Sequence, residues 1–117
     1  MGLSSLFQSL KAHFVSVKYL RVEDEALISH VIGVITEQVA NNYGAIMKIT
    51  VRRIHSWLRS RGVEAQPSTV GRILAVLHKL GFLKYVGRRG TYKVYFVEKD
   101  AWNPTRAYNL VVRKMRS

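Results

Sequence analysis

Apolar residues recur every three or four positions in five segments of the chain, which is the period of a helix with one buried face. This pattern predicts helices over residues 3–20, 23–43, 51–61, 67–80 and 104–116. The second segment carries the widest apolar stripe, so we expect that helix to be buried on more than one side.

Residues at the segment boundaries indicate where these helices begin and end. Acids favour the positive end of a helix dipole, and three in a row open the second segment. Glycine ends helices because it adopts the left-handed conformation without a steric penalty. Proline fits a first turn, where its missing N–H would have no partner. We therefore assign the starts to Glu23–Glu25, Thr50 and Pro67, and the ends to Gly44, Gly62 and Gly81.

A β-hairpin is predicted towards the C-terminal end of the chain. Two runs rich in β-branched and aromatic residues, 82–86 and 91–97, flank Gly87-Arg88-Arg89-Gly90. A short glycine-bounded connection of this kind predicts a hairpin with residues 87–90 at its tip. Residues 45–49 are expected to form a further very short strand. The predicted fold is α+β, mostly α, in a single domain over residues 1–117.

The charge of the chain indicates a polyanionic partner. It contains 19 Lys and Arg against 7 Asp and Glu, a formal net charge of +12, and such an excess attracts polyanions. Between Lys48 and Lys93 there are eleven cations and one acid, Glu64. A chain that needed charge only for solubility would not separate the signs in this way. Nucleic acid is the expected partner, with an anionic membrane surface as the competing one.

Other functions find little support in the sequence. There is no Cys, the histidines lack metal-ligand spacing, and Gly87–Gly90 is too short for a phosphate loop. We therefore predict no catalytic residue, no metal, no cofactor and no small-molecule ligand. The chain also lacks a signal-peptide pattern and an apolar run of the roughly 18 residues that span a bilayer. These features predict a cytoplasmic, nucleoid-associated protein without a membrane partner.

The segment around the fourth predicted helix carries the sharpest family signal. Small hydroxyl residues lie near the start of the segment Pro67-Ser68-Thr69-Val70-Gly71-Arg72-Ile73-Leu74. The hairpin is then reached through the segment Leu77-His78-Lys79-Leu80-Gly81-Phe82-Leu83. Together with the preceding helices and strand, this order of elements resembles the winged helix-turn-helix superfamily over about residues 23–97. Within that superfamily it resembles the prokaryotic-type transcription regulators. The long turn Gly62–Gln66 and the helical Gly71 depart from that pattern, since glycine costs roughly 1 kcal/mol relative to alanine there.

The resemblance implies sequence-dependent binding of double-stranded DNA. The recognition helix, residues 67–80, would enter the major groove, and the wing, residues 87–90, would contact the minor groove or phosphates. Its exposed face would include Ala75 or Val76, and Arg72 could make a bidentate contact with guanine. The implied DNA-binding residues are Gln66, Ser68, Thr69, Arg72 and Lys79 on the recognition helix, Arg88, Arg89 and Lys93 in the wing, and Thr50, Arg52, Arg53, Arg59 and Arg61 at the phosphates.

Alternatives to a transcription regulator stay open at this point. An RNA-binding winged helix of the ribosomal type would be equally small and basic, and Tyr85, Tyr92 and Tyr95 could stack on bases. An architectural, partition or replication DNA-binding protein would have the same features. A winged helix that contacts only protein is disfavoured by the basic stretch.

The two terminal helices predict self-association. The winged-helix core needs neither of them, yet each carries an apolar stripe whose exposure to water is unfavourable. They either fold back on their own chain or meet those of a second copy about a two-fold axis. Because two linked half-sites multiply a weak affinity, we predict a homodimer through the terminal helices.

Overall fold

A computed structural model describes residues 24–116, which form an α+β fold that is mostly helical, as predicted. The predicted N-terminal helix over residues 3–20 lies outside the described residues. The elements are α1 (Glu25–Ala40), β1 (Ile46–Ile49), α2 (Val51–Ser60), α3 (Pro67–Lys79), β2 (Lys84–Arg89), β3 (Tyr92–Glu98), a 3-10 turn (Lys99–Ala101) and α4 (Pro104–Arg116).

Most of the predicted helix ends are confirmed. The Thr50 hydroxyl accepts a hydrogen bond from the Arg53 amide at 3.2 Å, which satisfies a free donor of the first turn of α2. Pro67 lies in the first turn of α3. Gly62 and Gly81 follow α2 and α3 with φ of +77° and +92°. These glycines therefore act as the left-handed stops that the sequence indicates.

The predicted end of α1 at Gly44 is wrong. The helix ends at Ala40, and the Asn41 amide that follows donates to backbone carbonyls of the last turn. The Asn42 side chain donates to the Gly44 carbonyl at 2.8 Å. The segment after Ala40 is thus a turn that Asn42 organises and that leads into β1.

The three strands form one antiparallel sheet in the order β1-β3-β2. Side chains alternate between its two faces. The inner face packs against the helices with buried Met47, Ile49, Tyr95 and Val97. By the strand register, the opposite face, called the outer face below, carries Ile46, Lys48, Lys84, Arg89, Tyr92, Val94, Phe96 and Glu98. Val86, the unpaired residue of β2 between Tyr85 and Gly87, lines a cavity on the same side.

The hairpin is confirmed, but its predicted tip is wrong. β2 continues to Arg89, so Arg88 and Arg89 lie in the strand opposite Lys93 and Tyr92, and only Gly90 and Thr91 connect the strands. The reason is a shift in register between Tyr85 and Gly87, where a β-bulge absorbs one residue. Gly87, with φ of +147°, serves the bulge, while Gly90, with φ of +61°, serves the turn.

The helical core is centred on α1, which contacts α2, α3 and α4. Ile32 and Val34 of this helix are 4% and 1% exposed, and residues two apart lie on nearly opposite sides of a helix, so the prediction of burial on more than one side is confirmed. α4 folds back on its own chain, with Ala107 and Val111 in the core. This is one of the two arrangements considered for that helix, and the homodimer stays a prediction. None of the helices within residues 24–116 has the combined length and hydrophobicity of a transmembrane segment.

Candidate nucleic-acid interface

α3 presents fewer of its side chains to solvent than the sequence indicates. Gln66, Ser68 and Lys79 are exposed, as expected. However, Thr69 is only 9% exposed, so its predicted place on the outer side of the helix is wrong. Of the alternatives Ala75 or Val76, Ala75 is the partly exposed one, and Val76 is 1% exposed. The reason is that α3 packs against α1, α2 and α4 together, which buries more of its circumference than a single apolar stripe does.

Arg72 is held in place by Thr69. Its Nη2 donates to the Thr69 hydroxyl at 3.2 Å, and the side chain is half-buried. Nε of Arg72 is buried and has no hydrogen-bond partner within residues 24–116. A guanidinium fixed at one end loses less rotamer entropy when its remaining donors bind a ligand. Thr69 therefore positions Arg72 rather than offering a separate contact.

The four arginines of the α2 region are exposed but differ in their surroundings. Arg53 lies over the Trp57 ring at 5.8 Å and donates to the Lys48 carbonyl at 3.3 Å. Arg61, just after α2, forms an ion pair with Glu37 of α1. Arg52 and Arg59 form no ion pair within the described part of the chain. Of the predicted phosphate contacts, Arg61 is thus the one whose charge is already neutralised.

A histidine and two tyrosines connect the last turn of α3 to the hairpin. The His78 ring lies 6.0 Å from Tyr85 and 5.7 Å from Tyr95, and the two tyrosine rings are 5.8 Å apart. Burial raises the pKa of Tyr95, and the nearby Tyr85 phenol raises it further. Tyr95 is only 3% exposed, so the suggestion that it stacks on bases is wrong. The sequence signal for this burial is the spacing of Tyr95 and Val97, because residues two apart in a strand lie on the same face.

The end of the hairpin carries cations on both faces. Arg88 is directly opposite Lys93, and by register both belong to the inner face, on the side where α3 packs. Arg89 is opposite Tyr92 on the outer face. All four side chains are exposed. The predicted wing residues therefore exist as a cross-strand pair, Arg88 with Lys93, and a separate Arg89.

Charge pairing is uneven across the molecule. Glu25 pairs with Arg116, Glu37 with Arg61 and Glu98 with Lys84. Of the eleven cations from Lys48 to Lys93, the other nine have no ion pair within residues 24–116. Two of these, Lys48 and Arg89, lie on the outer face of the sheet. The other seven are called the basic surface: Arg52, Arg53, Arg59, Arg72, Lys79, Arg88 and Lys93.

His55 lies close to the basic surface but serves the fold. Its Nε2 donates to the Ala65 carbonyl at 3.0 Å, which fixes the long turn between α2 and α3. Within residues 24–116, no group of three or more acids and histidines could hold a metal ion.

Comparison with protein-family models, curated proteins and solved structures finds no match to this chain.

Proposed function

We propose that this protein binds double-stranded DNA through the basic surface, in the manner of a winged helix-turn-helix. α2 and α3 would form the helix-turn-helix, and β2 and β3 the wing. The observation that carries the proposal is the set of seven cations without an acidic partner in the described part of the chain. Duplex DNA presents about one negative charge per 1.7 Å of its axis, so such cations release counterions when they contact phosphates.

The recognition element in this proposal is α3. An α-helix fits the major groove of B-DNA, and residues near its N-terminus reach the base edges. Gln66 and Ser68 are exposed there, and the helix N-terminus offers free N–H groups to a phosphate. Arg72, held by Thr69, has donors suited to the O6 and N7 atoms of guanine. These side chains make the proposed binding sequence-dependent, as regulation of transcription requires.

The remaining cations would position the protein on the duplex. Arg52, Arg53 and Arg59 lie on α2, the helix that crosses the backbone in a helix-turn-helix. Arg88 and Lys93 project from one face of a narrow two-stranded ribbon, which suits the minor groove or the phosphates beside it. Contacts of this kind raise affinity for every sequence equally.

The proposal is tested by the salt dependence of binding with a matched pair of double variants. Fluorescence anisotropy would compare a selected duplex, a random duplex and a structured RNA between 50 and 200 mM salt. The slope of log K against log salt is expected near −0.9 per neutralised phosphate. Arg88→Ala with Lys93→Ala should reduce its magnitude by about 2.

The control, Arg106→Ala with Arg113→Ala, removes two exposed cations from α4 and should leave the slope unchanged. A slope near zero, equal losses in both double variants, or tighter binding of the RNA than of either duplex would each contradict the proposal.

A further inference from the structure

The outer face of the sheet combines aromatic side chains and cations that the proposed duplex interface does not use. The central strand β3 places Tyr92, Val94 and Phe96 on this face. Phe96 lies directly between Lys48 of β1 and Lys84 of β2. Arg89 is opposite Tyr92 in the last pair before the turn. Each ring on the central strand therefore has a cation beside it on a neighbouring strand.

Within residues 24–116, the cavity on this face is lined by residues of the sheet alone. This open cavity of about 280 Å³ lies over Val94 and Phe96, with Lys48 and Val86 at its sides and Arg89 at its hairpin end. Arg88 of the basic surface also lines that end, so the two proposed sites adjoin there. Gly87, the partner of Val94, contributes no side chain, and a Cβ there would meet nothing within 4 Å. Val86 and Tyr92 are 52% and 37% exposed. Val94 below them is 7% exposed, so a planar ligand would contact the side chains around the cavity rather than its floor.

The charges of the outer face favour an anion. Glu98 is the acid that the register places on it, and Glu98 is ion-paired with Lys84 at 3.2 Å. Lys48 and Arg89 have no ion pair within residues 24–116. Tyr92 and Phe96 are four residues apart on one strand, which is about 14 Å at roughly 3.4 Å per residue. One base cannot touch both rings, whereas two non-adjacent bases of one strand can.

We propose that the outer face of the sheet is a second nucleic-acid site, which binds a short single strand. Bases would stack on Tyr92 and Phe96, while Lys48 and Arg89 would contact the phosphates. Stacking requires unpaired bases, because the faces of bases in a duplex are covered by their neighbours. An acidic peptide would match the cations equally well, but the pairing of each ring with a cation favours a strand that alternates bases and phosphates.

The test uses an eight-nucleotide oligothymidine and the full chain. Tyr92→Leu with Phe96→Leu keeps apolar volume and removes both rings, and it should weaken binding at least tenfold, since stacking contributes about 1–3 kcal/mol per base. Lys48→Gln, an exposed residue, should weaken binding several-fold and tests the site even if the double variant fails to fold. Tyr85→Leu, which alters an exposed ring of the inner face, is the matched control and should change binding little.

A random duplex, measured with the same variants, separates this proposal from the proposed function. Tyr92→Leu should leave duplex binding unchanged, and Arg72→Ala should weaken it. Unchanged oligonucleotide affinity in both Tyr92→Leu and Lys48→Gln overturns the outer-face site. The outer-face site is also overturned if Arg72→Ala is the only variant that reduces oligonucleotide affinity. It is likewise overturned if an acidic, leucine-containing peptide binds more tightly and displaces the strand. A wild-type protein that binds the oligonucleotide but not the duplex would contradict only the proposed function.

Discussion

The α1–α4 side of the molecule and the α2–α3–hairpin side use charged residues in different ways. Around α1 and α4, Glu25 and Glu37 are ion-paired, as in the two contacts from Arg116 to the Glu25 carboxylate at 2.8 and 3.1 Å, although Arg106 and Arg113 of α4 have no ion pair within residues 24–116. On the other side, the seven cations of the basic surface have no such partner in the described residues.

This difference indicates that the residues that stabilise the fold are distinct from those proposed to bind nucleic acid. An exposed ion pair contributes only about 0–1 kcal/mol to stability, so leaving cations unpaired costs the fold little. The apolar core, by contrast, is centred on α1 and includes residues of α4. We therefore expect variants of the core to change the free energy of unfolding, and variants of the basic surface to change affinity.

The largest effect is expected for Ile35→Ala. Ile35 is completely buried in α1, and truncating such a residue costs about 2–5 kcal/mol because a cavity is left behind. Urea denaturation at 25 °C should show this loss. Ile46→Ala, which truncates an exposed isoleucine of β1, is the control and should stay within about 0.5 kcal/mol of the wild type. If Ile35→Ala also weakened duplex binding under conditions where the variant is fully folded, the two sides would be coupled.

The next effect is expected for Arg72→Ala. Loss of a bidentate base contact costs roughly 1–3 kcal/mol at the preferred site and relaxes the preference for it. Arg59→Ala removes a positioning charge, so it should weaken all duplexes about equally. Anisotropy with a selected and a random duplex measures both quantities. An unchanged preference in Arg72→Ala would mean that α3 does not read the bases.

The sequence predicts the elements well because their signals are local. Thr50, Gly62 and Gly81 act within one turn of the positions that they define. The same holds for the hairpin, whose two β-rich runs are adjacent in the chain.

What the sequence does not predict depends on contacts between elements. Thr69 and Val76 are buried because α3 meets three other helices, which the period of one helix does not reveal. Arg88 and Arg89 were misplaced because a bulge shifts the register by one residue, and the glycine that permits it resembles a turn glycine. The contact of His78 with Tyr85 and Tyr95 follows from that register and from the packing of α3.

A smaller, stabilising effect is expected for Gly71→Ala. A Cβ at this position would lie 3.5 Å from the Val51 Cγ2 atom, an ordinary van der Waals contact, so alanine fits between α3 and α2. Alanine should raise the free energy of unfolding by up to about 1 kcal/mol, because glycine is the poorer helix former. Since this side of α3 faces α2, duplex affinity should not change. A more stable variant that no longer binds duplex DNA would show instead that the nucleic acid needs the bare backbone here.

The smallest effect concerns the stability of the hairpin contact at alkaline pH. Burial raises the pKa of Tyr95 above its ordinary value of 10.0, so the folded state holds the phenolic proton more tightly than the unfolded state. The resulting stability is fully present below about pH 10 and is lost as the pH rises through the folded pKa. Tyr95→Phe has no proton to lose. Urea denaturation between pH 8 and pH 11 should therefore show the wild type losing more stability than Tyr95→Phe above pH 10, with the two curves parallel below it.

Tyr85→Phe removes an exposed phenol and the smaller of the two causes of the shift, so it should reproduce only part of this difference. Parallel curves for wild type and Tyr95→Phe over the whole range would mean that the Tyr95 phenol is not held neutral by the packing of α3 against the hairpin.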